Sequence, residues 1–233
     1  MGEAASVSVQ VAGNSAGVTP PVLGSTVTFT YSPVLILACG DVVGGTTSIM
    51  NLVVTASFAT PVTGLVVGDF VVLGATPTAL TPASASPGPE HTYHLAVQLD
   101  GVRDVEVSLA EGAGAVDPAP QAASLVFQFA PHVTLQWNNG LSDGSATSLT
   151  SVVLLIEFQS AVSGFVATDV TLAGATAGSL AQTGTTTYEL PVSLGPSTVV
   201  SAALPGASGS IEPPNMPSSQ LSLEYVPGHR VRG

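Results

Sequence analysis

Short segments of this sequence alternate between apolar and polar positions. In segment 52–58 the even positions are Leu, Val, Ala and Phe, and in segment 152–158 they are Val, Leu, Ile and Phe. A period of two places alternate side chains on one face of a strand. The pattern therefore predicts strands that turn one face toward a core, and it recurs in segments 93–99, 105–109, 188–194 and 221–225.

The residues between these segments favour one fold class. Gly, Pro, Ser and Asp interrupt the apolar segments every 8–12 residues, a spacing typical of β-sandwiches. No window of 12 residues combines helical periodicity with capping residues, and the abundant Val and Thr favour strands. We predict an all-β chain of tandem antiparallel immunoglobulin-like β-sandwiches, with about seven strands each.

The sequence also repeats itself. Segment 58–69, FATPVTGLVVGD, matches segment 158–169, FQSAVSGFVATD, at an offset of 100 without a gap. Segment 125–131, LVFQFAP, matches segment 221–227, LSLEYVP. A third, partial copy covers residues 7–33, which align with residues 105–131 at an offset of 98. Self-similarity at a fixed period indicates a repeat architecture.

These matches predict the domain organisation. Residues 1–33 are the C-terminal strands of a preceding, partial repeat. Residues 34–131 form a first full repeat, residues 132–227 form a second, and residues 228–233 are a tail. The junction Ala130-Pro131-His132-Val133 leaves almost no slack, and Pro131 is expected to stiffen it.

Several segments of the second repeat carry a resemblance to a known family. It resembles the bacterial immunoglobulin-like repeats of large surface proteins, in the segments VTL at 133–135, VLLIEF at 153–158, VSGF at 162–165, TDVTL at 168–172, GTTTY at 184–188 and LSLEY at 221–225. The resemblance implies tandem extracellular domains that serve as stalks, spacers or adhesive arrays. The family often has an Asp-x-x-Gly-Asn stretch before its last strand. Here prolines occupy that stretch, in DPAPQ at 117–121 and EPPNM at 212–216, which disfavours a cation site.

Composition and charge exclude several partners. The chain has 15 acids, three arginines and no lysine, for a net charge of −12, and it therefore lacks the basic surface that binds nucleic acid or anionic lipid. Its longest aliphatic runs, such as Val152–Ile156, are far shorter than the roughly 20 residues of a membrane span. With 26 Ser and 24 Thr, the surface is hydroxylated rather than charged, which favours an extracellular or cell-surface protein.

Trp137 is the one candidate for ligand binding. It precedes the turn sequence Asn138-Asn139-Gly140 and aligns with Cys39 of the first repeat. Its ring could stack on a sugar, or it could pack in the core or between domains. Cys39, the single cysteine, is either a small buried side chain or a thiol available for an intermolecular bond.

The remaining polar candidates favour structural roles. Asp69 and Asp169 recur in register before a strand, and each could ligate a cation or accept backbone N–H bonds in a turn. His91 and His94 are three apart on a predicted strand and point to opposite faces. The acidic cluster Asp100, Arg103, Asp104 and Glu106 is interpreted as a solvated turn. No catalytic motif is present, so we predict no enzyme activity, no cofactor and no metal site.

Three functions remain open. The first is a structural segment of a stalk, filament or adhesive array, whose partners are neighbouring repeats. Such an array can be assembled by strand sharing between subunits, as a homo-oligomer or filament. The second is a module that binds a glycan or a receptor through loops such as 39–51 and 81–90, where the repeats differ most. The third is an accessory domain of a large secreted enzyme.

Overall fold

A computed structural model describes residues 6–11, 25–84, 90–110, 116–138, 140–196 and 199–227 of the chain. Within those ranges the regular elements are 19 strands and two single turns of 3-10 helix. The chain divides into two compact units, one made of Met1–Val42, Asn51–Leu99 and Val105–Val126, and one made of Val43–Met50, Asp100–Asp104 and Phe127–Gly233. The repeat boundaries at residues 33, 131 and 227 stay a prediction.

The strands are numbered in chain order. Two short ones come first, β1 (Ser6–Val11) and β2 (Ser25–Thr30). Those of the first full repeat are β3 (Leu35–Ala38), β4 (Thr46–Thr47), β5 (Asn51–Val62), β6 (Phe70–Leu73), β7 (Ala75–Pro82), β8 (Glu90–Leu99), β9 (Asp104–Leu109) and β10 (Ala123–Phe129). Those of the second are β11 (Val133–Trp137), β12 (Ser145–Thr147), β13 (Ser151–Phe158), β14 (Thr171–Ala173), β15 (Ala175–Ala177), β16 (Ala181–Gln182), β17 (Thr187–Leu194), β18 (Val199–Ala203) and β19 (Leu221–Tyr225).

The first sandwich has two four-stranded sheets. One has the order β3-β5-β8-β7 and is antiparallel throughout. The other has the order β4-β10-β9-β6, in which the short β4 pairs parallel with β10. Val54 lies opposite Leu95 at the centre of the first sheet, and both side chains are fully buried.

The second sandwich repeats this plan. Its sheets have the orders β11-β13-β17-β15, with β16 also on β17, and β12-β19-β18-β14. The pair β12 and β19 is parallel, as the pair β4 and β10 is. Inward side chains of both sheets meet in one apolar cluster that includes Leu154, Leu190, Val200 and Leu223. The prediction of an all-β fold of antiparallel immunoglobulin-like sandwiches is confirmed.

The alternating pattern explains which side chains form the core. In β13 the four even positions are buried, and the odd positions between them face outward. Full burial of a Val, Leu, Ile or Phe side chain contributes about 1.5–3 kcal/mol. A shift of one residue in the pairing would expose the whole apolar set, so the register is strongly fixed.

Aromatic rings pack at one end of each core. In the second sandwich Phe158, Phe165 and Tyr188 form three edge-to-face contacts with centroid separations of 5.0–5.8 Å. The first sandwich has Leu65 at the position of Phe165, and it has one aromatic contact, between Phe58 and Tyr93 at 6.1 Å. Each such contact contributes about 0.5–1.5 kcal/mol beyond burial.

The same tyrosine fixes a loop in both sandwiches. The Tyr93 hydroxyl donates to the carbonyl oxygen of Val62 at 3.0 Å, and the Tyr188 hydroxyl donates to that of Val162 at 3.3 Å. Burial raises the pKa of both hydroxyls, and at Tyr93 the charge of Glu90 adds to the effect. Both tyrosines therefore remain protonated donors, and each satisfies a carbonyl next to the core.

We predict that the two sandwiches respond separately to matched core truncations. Leu95 and Leu190 occupy corresponding buried positions of β8 and β17. Replacing either by Ala should lower the free energy of unfolding of its own sandwich by about 2–5 kcal/mol. Native-state hydrogen exchange should report the loss in β8 for Leu95→Ala and in β17 for Leu190→Ala. An equal loss in both strands for either variant would contradict separate cores.

Candidate binding surface on the second sandwich

A groove of about 270 Å³ lies on the outer face of the β11-β13-β17 sheet. It forms there because alternate side chains of adjacent strands point away from the core and stand side by side. Five of its eight lining residues have polar side chains, half-buried Leu155 is an outward aliphatic one, and Ile156 and Tyr188 also belong to the core. The lining residues are Thr134, Gln136, Leu155, Ile156, Glu157, Thr183, Thr187 and Tyr188.

The groove offers a mixed set of hydrogen-bonding groups. Gln136 and Glu157 are exposed, so the amide of the first can donate and accept and the carboxylate of the second can accept. The hydroxyl of Thr183 lies 3.4 Å from the hydroxyl of Thr187. Half-buried Leu155 provides an apolar floor. This arrangement suits an uncharged ligand with several hydroxyl groups.

The corresponding face of the first sandwich has a different character. Because β3 and β5 pair in the same register as β11 and β13, the three polar groove positions on those strands correspond to Ile36, Ala38 and Ser57. Ile36 is 62% exposed. On the adjacent strand His94 lies 3.5 Å from the hydroxyl of Thr55. The polar groove is therefore a property of the second sandwich and not of the shared fold.

The sequence carried a signal for this surface that the repeat comparison alone did not single out. Core positions match between the repeats, whereas Ile36, Ala38 and Ser57 correspond to Thr134, Gln136 and Glu157 at outward positions, and Thr55 corresponds to Leu155. Outward positions are free to vary because they carry no packing. The grouping of these polar changes on adjacent strands is visible once the strand register is known.

Trp137 is buried in the second sandwich. Its side chain is 2% exposed, and the indole N–H donates to the carbonyl oxygen of Ser222 at 3.3 Å. A ring in this position presents no face to a sugar, so the core-packing alternative describes its place. The bond to Ser222 satisfies the indole N–H, which usually has a hydrogen-bond partner when a Trp is buried.

Asp69 and Asp169 accept backbone hydrogen bonds. The Asp69 carboxylate accepts from the N–H of Val66 at 2.8 Å, and the Asp169 carboxylate accepts from the N–H of Val166 at 2.9 Å. Each bond closes a single 3-10 turn, Val67–Asp69 in one sandwich and Ala167–Asp169 in the other. This is the turn alternative considered from the sequence.

Arg103 lies near two acids of its own compact unit. Its guanidinium is 3.7 Å from the carboxylate of Glu212 and 4.0 Å from that of Asp104. The side chains involved are about half exposed or more, and ion pairs of this kind contribute little to stability. Asp104 also accepts from the amide of Gln128 at 3.2 Å. Asp104 belongs to the predicted turn cluster, whereas Glu212 and Gln128 lie outside it in sequence.

The two histidines of β8 do not converge. His91 lies 3.2 Å from the carbonyl oxygen of Phe58, whereas His94 approaches Thr55 on the other face of the sheet. Among the described residues, no group of three His, Cys, Asp or Glu side chains is close enough to hold a metal ion. The tail residue His229 and positions 85–89 of the Pro-rich loop lie outside the described ranges.

Cys39 is partly buried at the end of β3. Burial raises the pKa of its thiol, and the charge of Asp41 raises it further, while backbone N–H bonds oppose the shift. The thiolate is the reactive form of cysteine. The thiol is therefore a weak nucleophile at neutral pH in this conformation.

Comparisons with known proteins give structural likeness at low identity. No family model matches the sequence, and no curated protein matches it. InvD of Yersinia pseudotuberculosis is 12% identical, with a TM-score of 0.30 over 87% of this chain and 59% of that chain. The adhesin InvE of the same organism is 10% identical, with a TM-score of 0.31 over 82% of this chain and 58% of that one. Domains 5–6 of the S-layer protein SbsC are 13% identical, with a TM-score of 0.25 over 85% of this chain and all of that one. The chain thus spans about three fifths of each Yersinia chain.

Within the described ranges, no helix is long and apolar enough to cross a membrane.

Asp143 ties the loop before β12 to the last strand. One carboxylate oxygen accepts from the Ser222 backbone N–H at 2.7 Å and from the Ser222 hydroxyl at 2.9 Å. These two bonds lower the pKa of Asp143 below its ordinary value of 3.8. Bonds to the charged form stabilise the folded state above the ordinary pKa, and this stabilisation is lost as the pH falls through the lowered pKa.

We therefore predict a pH-dependent effect of Asp143→Asn. The variant should be less stable than the parent protein at pH 7, and the difference should disappear at a pH below the lowered pKa. Carboxyl NMR titration should give an Asp143 pKa below 3.8 in the parent protein. In the matched variant Ser222→Ala, which keeps the backbone donor, the pKa should lie between that value and the ordinary one. An unshifted pKa in the parent protein would contradict the two bonds.

Proposed function

We propose that this chain is a non-enzymatic structural segment of an extracellular or cell-surface protein, forming part of a stalk, filament or adhesive array. The observation that carries the proposal is that one sandwich occurs twice, with the same strand orders and the same internal tethers. Duplication of a stable unit extends the length of a molecule, and it does not require a reacting site in either copy.

The duplicated tethers support this function because they fix the same loops in both units. The backbone of Thr63 exchanges two hydrogen bonds with that of Asp117, and Ser163 does the same with Glu212. In each sandwich a buried Thr, Thr47 or Thr147, accepts from the backbone N–H two residues later. These contacts hold connections between strands in place in both sandwiches.

The mechanism that we propose depends on the parallel strand pair that joins the second strand of each sandwich to its last strand. In the second sandwich β12 lies near the N-terminal end of the repeat and β19 at its C-terminal end, and the two pair parallel. Because β11 precedes β12 in the chain, tension on the two ends of the repeat acts on β11 first and then pulls β12 and β19 past each other, along the strand axis. Several hydrogen bonds must break together under such shear, and one of them joins Val226 N–H to the Thr147 carbonyl at 2.9 Å.

The first sandwich has the same device. Its parallel pair β4 and β10 is extended by bonds from Ala130 N–H to the Thr47 carbonyl and from Gln128 N–H to the Gly45 carbonyl, both at 2.8 Å. A surface of hydroxyls and acids, with a net charge of −12, keeps such a segment hydrated and disfavours contact with nucleic acid. Strand sharing between subunits is a second way in which an array of this kind could be assembled.

We predict that Val226→Pro weakens the second sandwich under force. Proline lacks the N–H that bonds to Thr147, whereas Val226→Ala keeps it and serves as the matched control. Force spectroscopy on the full chain, held at its ends, should give two unfolding events of about 30 nm each, since each repeat of about 95 residues extends by up to ~3.6 Å per residue. One event should move to lower force in Val226→Pro and neither in Val226→Ala. Unfolding without a force barrier in the parent protein would refute the structural function.

A second candidate function is the binding of a glycan or receptor, and the groove lined by Gln136 and Glu157 favours it. Its hydroxyl, amide and carboxylate groups over an aliphatic floor match the chemistry of a neutral sugar. The first sandwich does not have these groups at the corresponding positions. An adhesive array could therefore combine a plain spacer unit with one unit that binds.

We predict for this alternative that Gln136→Ala lowers glycan affinity roughly 5–30-fold, the effect of removing one or two hydrogen bonds. Glycan-array screening followed by titration calorimetry measures the effect. Ser57→Ala, at the position of the first sandwich that corresponds to Glu157, should leave binding unchanged. A parent protein that binds no glycan on the array would eliminate the groove as a sugar site.

A further inference from the structure

Strands β1 and β2 form a separate two-stranded antiparallel sheet. Val9 pairs with Val27, and Phe29 is the next residue of β2 on the same face. These side chains are 56%, 50% and 61% exposed, respectively. On the opposite face the hydroxyls of Ser8 and Thr28 lie 3.1 Å apart, and both residues are exposed. A two-stranded sheet with an uncovered apolar face is marginally stable in water.

The same two strands occur in a completed form within the first sandwich. Residues Ser6 and Asp104 are 98 positions apart, as are Thr30 and Gln128. Ser6 pairs with Thr30 in the small sheet, and between β10 and β9 the Phe129 N–H donates to the Arg103 carbonyl at 2.7 Å, which places Gln128 opposite Asp104. The two strand pairs therefore have the same register, so β1 corresponds to β9 and β2 corresponds to β10.

The corresponding apolar residues have opposite exposures. Val107, at the position of Val9, is fully buried, and Phe127, at the position of Phe29, is 2% exposed. Phe129 is also fully buried, whereas the corresponding Tyr31 is 40% exposed. The apolar positions of β1 and β2 are those of a sandwich core, although no second layer covers them among the described residues.

The first sandwich also shows what covers such a pair. Strand β6 pairs with β9, and β4 pairs with β10, so both edges are occupied. The inward residues of β3, β5 and β8 supply the facing layer, with Val54 and Leu95 at its centre. All of these strands lie within residues 34–103 of the repeat. The complement of the pair is therefore the portion of a repeat that precedes its last two strands.

We propose that β1 and β2 are the closing strands of a further sandwich, and that their apolar face docks the portion of a repeat equivalent to residues 34–103. The proposal rests on the proposed repeat array and names the partner of one face within it. A second copy of this chain does not provide the complement, because β9 and β10 already close its first sandwich and β18 and β19 close its second. The occupant is an open repeat that lacks its own final strand pair.

The attachment of the first sandwich to this strand pair agrees with a chain that continues through repeats. The Pro33 carbonyl, just after β2, accepts from Gln121 N–H at 3.0 Å. The Pro131 carbonyl, just after β10, accepts from Met216 N–H at the same distance. Each full repeat thus binds the proline that follows the closing strand of the unit before it.

The proposal is tested by supplying the missing portion in the full chain. A copy of residues 34–103 is placed directly before Ser6, in place of residues 1–5, so that the copy runs into β1 as Arg103 runs into Asp104. We expect the backbone amides of β1 and β2 to exchange hydrogen at least 100-fold more slowly than in the parent chain. Binding of an apolar dye to the parent chain should fall by more than half in the fusion.

A charge at the centre of the face provides the control. Phe29→Asp should abolish the added protection in the fusion and should leave the protection of β5 and β13 unchanged in the parent chain. A second fusion, with residues 132–198 before Ser6, tests the same docking with the other repeat. Exchange of β1 and β2 in both fusions as fast as in the parent chain would overturn the proposal.

Light scattering on the parent chain tests whether a second copy of the chain covers the apolar face of β1 and β2. We expect a monomer at concentrations of tens of micromolar. A dimer that Phe29→Asp dissociates would instead assign the face to a second copy and overturn the proposal. The structural function has its own readout, the force at which the two complete sandwiches unfold, so its failure is distinct from a failure of docking at β1 and β2.

Discussion

A β-sheet with one apolar face has to place that face against a second layer, because exposed apolar surface costs about 25 cal/mol for each Å². Both full sandwiches meet this requirement with two sheets, whose inward side chains, such as Val54 and Leu154, are fully buried. The strand pair β1 and β2 has the same apolar positions, and none of the residues that the structure describes forms a second layer over them. The apolar face is therefore buried in the two sandwiches and exposed in the strand pair.

Polar groups near each core are constrained in the same way as the apolar ones. A buried carbonyl or hydroxyl without a partner costs about 1–3 kcal/mol, so its partner has to be duplicated with the fold. The tyrosine hydroxyls on Val62 and Val162 are duplicated partners of this kind, and the carboxylates of Asp69 and Asp169 recur on the exposed N–H groups of Val66 and Val166. Asp69 and Asp169 recur in register because each closes the same turn, and this conformational role accounts for the pattern that could also suggest a cation site.

The fold was predictable from the sequence because its main determinant is local. Period-two alternation identifies the inward positions of β5 and β13, and the repeat offsets align them. The burial of Trp137 is one of the alternatives that the sequence offered, and the repeat comparison did not decide between them, since the same strand position holds Cys39 in the other repeat. The groove was also not predictable, because it needs the cross-strand register of β11, β13 and β17. Such registers depend on long-range pairing rather than on local pattern.

The two sandwiches differ mainly on surfaces that packing does not constrain. Outward positions of β3 carry Ile36 and Ala38, where β11 has threonine and glutamine. A core position can vary only within its volume, whereas an outward position can change its polarity without loss of stability. In a repeated architecture, any recognition of a ligand therefore has to arise on these outward faces or in the loops. The two sandwiches share the pattern of their cores, and the divergent faces are where one sandwich can acquire a property that the other does not have.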